Sequence, residues 1–265
     1  MPIEVRYFTD PACPVSWGIE PNVRRLAWEF GDSLHWRFVM GGLGRDYKGH
    51  EAGAMAVWTE EAGTTDMPMD PLLWKEGAIS SSYPACMAVK AAGEQGIDAQ
   101  ARYLRAAREG LMCLRRKLDA LEPLVEEARR IRLDVERFRI DAGSHATIEA
   151  FGADLELTRD VPPGSPRTDR VPFPTLCFGE HGWVFEAAPY DDYVAAAEAA
   201  GARRVNTEPM TVDEAFKRHD RLAVPEIEAL CGLPGPRAHA ELWRMASEWK
   251  LKPLRSLTGW LFEAV

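Results

Sequence analysis

The sequence predicts an α/β protein in which a long helical insertion divides a small β-sheet and a short appendage follows. Two alternating apolar segments, residues 3–9 and 33–40, enclose one helical pattern. Residues 82–159 then show helical periodicity almost throughout, and residues 171–186 form a hairpin pattern with glycines at its turn. The predicted order is therefore β-α-β, a helical insertion, β-β-α and a tail.

The composition is that of an ordinary globular protein. The 265 residues are 46% hydrophobic and 28% charged, with a formal net charge of -9. This acidic balance argues against general nucleic-acid binding, and no segment has the length of a membrane span. An odd number of cysteines without paired spacing predicts neither a disulfide framework nor a metal site: Cys13, Cys86, Cys113, Cys177, Cys231. Without a secretory signal pattern at the start, we expect a cytoplasmic protein.

The first strand leads directly into a cysteine at a helix start. Asp10 ends the strand pattern, and Cys13 is followed by Pro14, which fits the first turn of a helix. Unpaired amides at a helix N-terminus favour an anion, so we expect the pKa of the Cys13 thiol to be lowered. This is the entry of a thioredoxin-type redox site, with Ser16 in place of the second cysteine.

The serine changes the chemistry expected of such a site. A Cys-x-x-Cys pair resolves a mixed disulfide internally, whereas Cys13 with Ser16 requires an external thiol. We expect the Ser16 hydroxyl to donate a hydrogen bond to the Cys13 sulfur. Cys177 is expected to be packed in a strand rather than to act as a resolving thiol.

The remaining segments complete the predicted architecture. Residues 41–77, rich in Gly, Met, Pro and Trp, are interpreted as loop and lid material outside the core, with short helices at about residues 51–62 and 71–75. An alanine-rich helix is predicted over residues 190–200. The tail shows three helical patterns and a two-stranded ribbon, which is the order of a winged helix: residues 212–219, 225–230, 238–249, and 252–254 with 260–262. The predicted domains are residues 1–202, with the insertion at about 80–160, and residues 203–265.

Three motifs resemble the DsbA-like thioredoxin-fold superfamily. Residues 8–17, Phe-Thr-Asp-Pro-Ala-Cys-Pro-Val-Ser-Trp, are similar to its Asp-Pro-x-Cys-Pro-x-x-x-Trp entry. Residues 83–96 resemble the start of its helical insertion, and residues 173–176 resemble the loop with the cis-proline of the fold. The likeness covers about residues 3–200 and is strongest to the FrnE-like branch, beside the kappa-class glutathione transferases and the 2-hydroxychromene-2-carboxylate isomerases.

The resemblance implies a site and a function. Cys13 and Ser16 would be the catalytic residues, and Pro174 would follow a cis peptide bond that lets the Phe173 backbone pair with a substrate. Pro14 and Trp17 complete the predicted substrate-binding set.

We therefore expect a thioredoxin-like fold with a helical insertion and a winged-helix-like appendage, acting as a monothiol thiol–disulfide oxidoreductase. Its partners would be protein or small-molecule disulfides and thiols, with glutathione or another low-molecular-weight thiol as co-substrate and no bound cofactor or metal. The tail is expected to serve packing or homodimerisation. Two alternatives are a glutathione-dependent transferase or isomerase on the same fold and a non-catalytic protein-binding adaptor.

Overall fold

Two β-sheets organise the computed structural model, which describes residues 2–265. The first sheet has the spatial order β2-β1-β3-β4 and contains β1 (Ile3–Thr9), β2 (Leu34–Met40), β3 (Thr175–Phe178) and β4 (Gly182–Phe185). The second has the order β5-β7-β6 and contains β5 (Arg221–Ala223), β6 (Leu251–Arg255) and β7 (Trp260–Ala264).

The helices fall into three groups along the chain. Those before the insertion are α1 (Pro14–Gly18), α2 (Glu20–Phe30), α3 (Glu51–Thr65) and α4 (Leu73–Glu76). The insertion consists of α5 (Tyr83–Gly93), α6 (Ile97–Arg108), a π-helical turn (Glu109–Cys113), α7 (Leu121–Arg130), α8 (Val135–Ala142) and α9 (His145–Arg159). After it come α10 (Tyr190–Ala199), α11 (Val212–Arg218), α12 (Val224–Cys231) and α13 (Gly235–Ser247).

The predicted β-α-β start and the later hairpin are both confirmed. β1 pairs in parallel with β2, from Ile3 opposite Leu34 to Thr9 opposite Met40. β3 pairs antiparallel with both β1 and β4. This topology brings the end of β1 beside the beginning of β3, although the long insertion separates them in sequence.

The first helix differs from the prediction of one continuous helix. α1 ends at Gly18 and α2 begins at Glu20. Pro21 stands in the first turn of α2 and has no N–H with which to continue the hydrogen bonding of α1. The helix behind the cysteine is therefore only five residues long.

The two short helices predicted within residues 41–77 are present as α3 and α4, but the prediction that this segment lies outside the core is wrong. Trp58 and Trp74 are buried and meet edge to face, with their ring centroids 5.3 Å apart. Met67 and Met69 are also buried, and Trp17 Nε1 donates to the Pro68 carbonyl oxygen at 3.0 Å. The segment is core because these apolar side chains cover α1.

The appendage is winged-helix-like, as predicted, and has its own hydrophobic core. Apolar residues from its three helices and from β6 and β7 form this core, and α12 packs against α2. The structure adds β5, which pairs with β7 and which the sequence analysis missed. A three-residue strand between two helices is too short to show an alternating pattern. No helix within residues 2–265 combines the length and apolar character that a bilayer crossing requires.

Candidate functional site

Cys13 lies where β1 gives way to α1. Its backbone is extended, with φ -82° and ψ 111°, and it is the N-cap residue of α1. The Cys13 N–H donates to the Asp10 carbonyl oxygen at 3.2 Å, and its own carbonyl oxygen accepts from the Trp17 N–H at 3.1 Å. Pro14 occupies the beginning of the helix, as predicted. Local sequence therefore determines the position of the cysteine.

Asp10 holds the turn that carries Cys13. Its fully buried carboxylate accepts four hydrogen bonds, from Ala12 N at 2.7 Å, Leu43 N at 2.6 Å, Ser82 Oγ at 2.9 Å and Cys86 Sγ at 3.2 Å. Burial raises the pKa of the Asp10 carboxyl, while these donors act in the opposite direction. The carboxylate thus joins the turn to the segment after β2 and to α5.

The cis-proline loop lies directly against the cysteine. The Phe173–Pro174 peptide bond is cis, as predicted, and Cys13 Sγ lies 3.6 Å from the Phe173 carbonyl oxygen. Ser16 N–H donates to the sulfur at 3.4 Å. Cys13, Ser16, Phe173 and Pro174 are thus brought together.

Ser16 acts on the Cys13 sulfur through its backbone and through its side chain. The backbone amide of Ser16 donates a hydrogen bond to the sulfur. The hydroxyl is buried, and its oxygen makes no hydrogen bond of ordinary geometry in the described part of the chain. The Ser16 side chain nevertheless lowers the pKa of the Cys13 thiol, so the predicted contact of the hydroxyl with the sulfur stays a prediction.

The predicted lowering of the Cys13 pKa is wrong. Cys13 is only 3% exposed, and burial raises the pKa of its thiol. One amide of a five-residue helix reaches the sulfur, and the nearby Asp10 carboxylate further disfavours a thiolate. A free thiol is already mostly protonated at neutral pH, so this one is protonated as well.

Trp17 does not belong to a substrate surface. It is fully buried, and the Arg105 guanidinium carbon lies 4.3 Å from the Trp17 ring centroid. Trp17 is therefore a core residue of α1 that packs against α6, and none of its surface is accessible to a ligand.

The sequence analysis missed Arg108, which lies behind the site. This arginine is 1% exposed, and its Nη1 lies 2.6 Å from Glu20 Oε2. It also donates to the hydroxyl groups of Tyr7 and Thr9. The sequence feature that could have identified Arg108 is its position on the apolar face of a predicted helix. Such a position predicts a buried and paired guanidinium.

The other cysteines offer no resolving thiol. All five are free, and burial raises the pKa of Cys86, Cys113 and Cys177. Arg6 Nη2 donates to Cys177 Sγ at 3.1 Å, and Cys177 is packed within β3 as expected. No group of three or more His, Cys, Asp or Glu within residues 2–265 is arranged to hold a metal ion.

Curated relatives resemble the chain over most of its length. A protein of Halalkalibacterium halodurans named "ClpXP adapter protein SpxH" is 29% identical, over 98% of this chain and 89% of the relative. Its namesake from Shouchella clausii is 27% identical, over 95% of this chain and 85% of the relative. The Bacillus subtilis protein of the same name is 28% identical, over 60% of this chain and 55% of that protein.

These relatives overturn the predicted enzyme. Proteins similar over almost the whole chain are named as adapters, and the Cys13 thiol is enclosed and protonated. The prediction of a thiol–disulfide oxidoreductase is therefore wrong. The alternative of a non-catalytic protein-binding adaptor agrees better with the relatives.

Solved structures establish the fold. A putative protein disulfide isomerase from Nitrosomonas europaea superposes with a TM-score of 0.65 at 17% identity, covering 75% of this chain and 97% of that chain. The cytosolic disulfide reductase DsbM from Pseudomonas aeruginosa superposes with a TM-score of 0.58 at 19% identity, covering 74% and 94%.

The match to a family model agrees with this fold. Residues 7–162, more than half of the chain, match the model described as Thioredoxin. They contain the end of β1, the Cys13 turn, β2 and the whole helical insertion from α5 to α9. The chain therefore belongs to the thioredoxin family, with a DsbA-like helical insertion in its fold.

Proposed function

We propose that this chain is a non-catalytic adaptor that binds ClpXP and a second protein. The observation that carries the proposal is the enclosed Cys13 thiol, which is 3% exposed and whose pKa burial raises. Thiol exchange requires an accessible thiolate, and the cysteine that would resolve a mixed disulfide is replaced by Ser16. The names of the relatives supply the class of partner.

The two-part architecture supports this role. The appendage has its own core and its own sheet, and buried ion pairs connect it to the thioredoxin fold. An adaptor binds two proteins at the same time. Two modules joined by buried ion pairs offer two surfaces for this purpose.

A binding experiment with purified proteins tests the proposal. The full chain, ClpX and ClpP are mixed and analysed by size-exclusion chromatography with light scattering, and affinity is measured by biolayer interferometry. We expect the chain to co-elute with the ClpX–ClpP complex. Cys13→Ser should bind as well as the unsubstituted chain, because Cys13 is buried and offers a partner protein almost no surface.

Two results would contradict the adaptor role. One is the absence of binding to ClpX, ClpP and their complex at micromolar concentrations. The other is loss of binding in Cys13→Ser while its thermal unfolding is unchanged, which would make the thiol part of the function. Cys113→Ser is the matched control, because Cys113 is also buried and donates to the Pro68 carbonyl oxygen, not to Asp10.

A further inference from the structure

Trp249 is an exposed tryptophan in the appendage. It lies between the end of α13 and the start of β6. The residue is 87% exposed, although tryptophan is largely buried on average and contributes more to a core than most side chains do. It is not among the residues that form or line the core of the appendage. Packing within the chain therefore does not explain why a tryptophan stands here.

The backbone of Trp249 also disfavours a large side chain. α13 ends in a Schellman motif, in which the Lys250 amide donates to the Met245 carbonyl oxygen at 3.0 Å and the Trp249 amide donates to the Ala246 carbonyl oxygen at 3.1 Å. Trp249 has a φ of 60°, and glycine is the usual residue at this position because a Cβ atom is crowded there. Tryptophan thus makes folding less favourable and gains little burial in return.

The other non-glycine residues with a positive φ are of a different kind. Within residues 2–265 they are all charged: Asp66, Arg115, Arg132 and Glu186. Such side chains interact well with water, whereas an indole exposes a large apolar ring. Trp249 is therefore the apolar exception in this set, and a residue that folding disfavours is best explained by a contact with another molecule.

The charged residues that flank Trp249 are paired. Glu248 forms ion pairs with Arg244 and with Lys250, whose Nζ lies 2.9 Å from Glu248 Oε2. Arg244 also lies 2.6 Å from Glu241. Two cations and two carboxylates thus balance each other, so binding here depends on the indole more than on charge. An aromatic side chain with a polar border is typical of the energetic centre of a protein interface.

A nucleic acid does not suit this surface, although the appendage is winged-helix-like. Its wing, the loop of residues 256–259 between β6 and β7, is bound to the thioredoxin fold. The Thr258 amide donates to the Met69 carbonyl oxygen at 3.1 Å, and the Met69 amide donates to Thr258 Oγ1 at 2.8 Å. The net charge of -9 further opposes association with nucleic acids and with anionic lipid surfaces. These observations favour a protein as the partner.

We propose that Trp249 binds an apolar pocket on the ClpX–ClpP complex and anchors the appendage there. The indole projects into solvent, so its partner has to supply a concave apolar surface, as proteins do at such contacts. Relatives that match nearly the whole chain, and hence the appendage as well, are named as adapters of ClpXP. The inference rests on the proposed adaptor function and names the residue that makes one of its two contacts.

Biolayer interferometry of the full chain on immobilised ClpX–ClpP tests the anchor. Trp249→Gly removes the indole and suits the left-handed backbone. Its dissociation constant should rise at least about tenfold, as for the loss of a central aromatic contact, while the midpoint of thermal unfolding stays unchanged or rises. Lost affinity in a chain of equal or greater stability does not come from misfolding. The control Ile140→Ala removes another exposed apolar side chain, in α8, and should bind like the unsubstituted chain.

Hydroxyl-radical footprinting provides a second measurement that needs no variant. The exposed Trp249 ring should be oxidised readily in the free chain and at least about threefold more slowly in the complex, because the partner covers it. Mass spectrometry of the peptide that contains Trp249 measures both rates.

The inference and the adaptor role fail in different ways. Equal affinity of Trp249→Gly and the unsubstituted chain, or equal oxidation of Trp249 with and without ClpX–ClpP, would overturn the anchor while the adaptor role stands. A dimer in light scattering that Trp249→Gly dissociates would assign the indole to a second copy of the chain and would also overturn it. Absence of any binding by the unsubstituted chain would overturn the adaptor role and the anchor together.

Discussion

Arg105 of α6 and Glu226 of α12 form two parallel hydrogen bonds between the thioredoxin fold and the appendage. Arg105 Nη1 lies 2.8 Å from Glu226 Oε1, and Nη2 lies 3.0 Å from Oε2. Glu226 is fully buried and also accepts from Arg24 Nε at 3.0 Å and from the Ala223 amide at 2.7 Å. The Glu226 carboxylate thus uses both of its oxygens to connect α12 of the appendage to α2 and α6 of the thioredoxin fold.

Replacement of Glu226 should destabilise the whole chain. Glu226→Gln removes the buried carboxylate that Arg105 and Arg24 share, so we expect the free energy of unfolding to fall by about 3 kcal/mol. Urea unfolding followed by circular dichroism measures this change. The control is Glu241→Gln, whose partner Arg244 is half exposed, and its effect should stay below about 1 kcal/mol. Equal effects of the two variants would contradict a structural role for Glu226.

The native Cys13 thiol should react slowly with iodoacetamide. Its burial and raised pKa leave little accessible thiolate at pH 7, so we expect alkylation at least about tenfold slower than in the urea-unfolded chain. Peptide mass spectrometry measures the rate at Cys13 separately from the other cysteines. An apparent pKa below that of a free thiol in the native state would contradict the enclosed site.

Two buried serines near the cysteine should respond differently to alanine. The Ser16 hydroxyl has no partner, so Ser16→Ala should leave the stability unchanged or raise it by up to about 1 kcal/mol. The Ser82 hydroxyl donates to Asp10 and accepts from the Gly44 amide, so Ser82→Ala should cost about 1–3 kcal/mol. Thermal and urea unfolding compare the two. A larger loss for Ser16→Ala would show that its hydroxyl has an important partner.

Stability should fall in acid partly through His219. The pKa of its imidazole is about 2 in the folded chain and about 6.5 when unfolded, so the unfolded state binds the proton first. The contribution is fully present above pH 6.5 and is lost as pH falls towards 2, by at most about 1.4 kcal/mol per pH unit. His219→Gln should flatten the dependence of unfolding on pH between 6 and 4, whereas exposed His50→Gln should not. An unchanged slope in His219→Gln would contradict the neutral, buried imidazole.

Local patterns were sufficient to predict most elements of the fold. β1 has the predicted bounds, and Pro14 begins α1. Both depend on neighbouring residues alone, through alternation and proline geometry. The cis bond before Pro174 was predicted from the family resemblance. The break at Gly18 was missed although Pro21 is a local signal for it. β5 was missed because a three-residue strand is too short to show alternation.

The sequence by itself determined where Cys13 lies in the chain's architecture, at the end of a strand and the start of a helix. Only the tertiary structure decided that its thiol is enclosed, because burial depends on Phe173, which is 160 residues away in sequence. The same is true of Trp58 in the core and of Arg105 paired with Glu226. Desolvation and ion pairing arise from contacts between distant segments, and these contacts turned the expected reactive thiol into a protonated one.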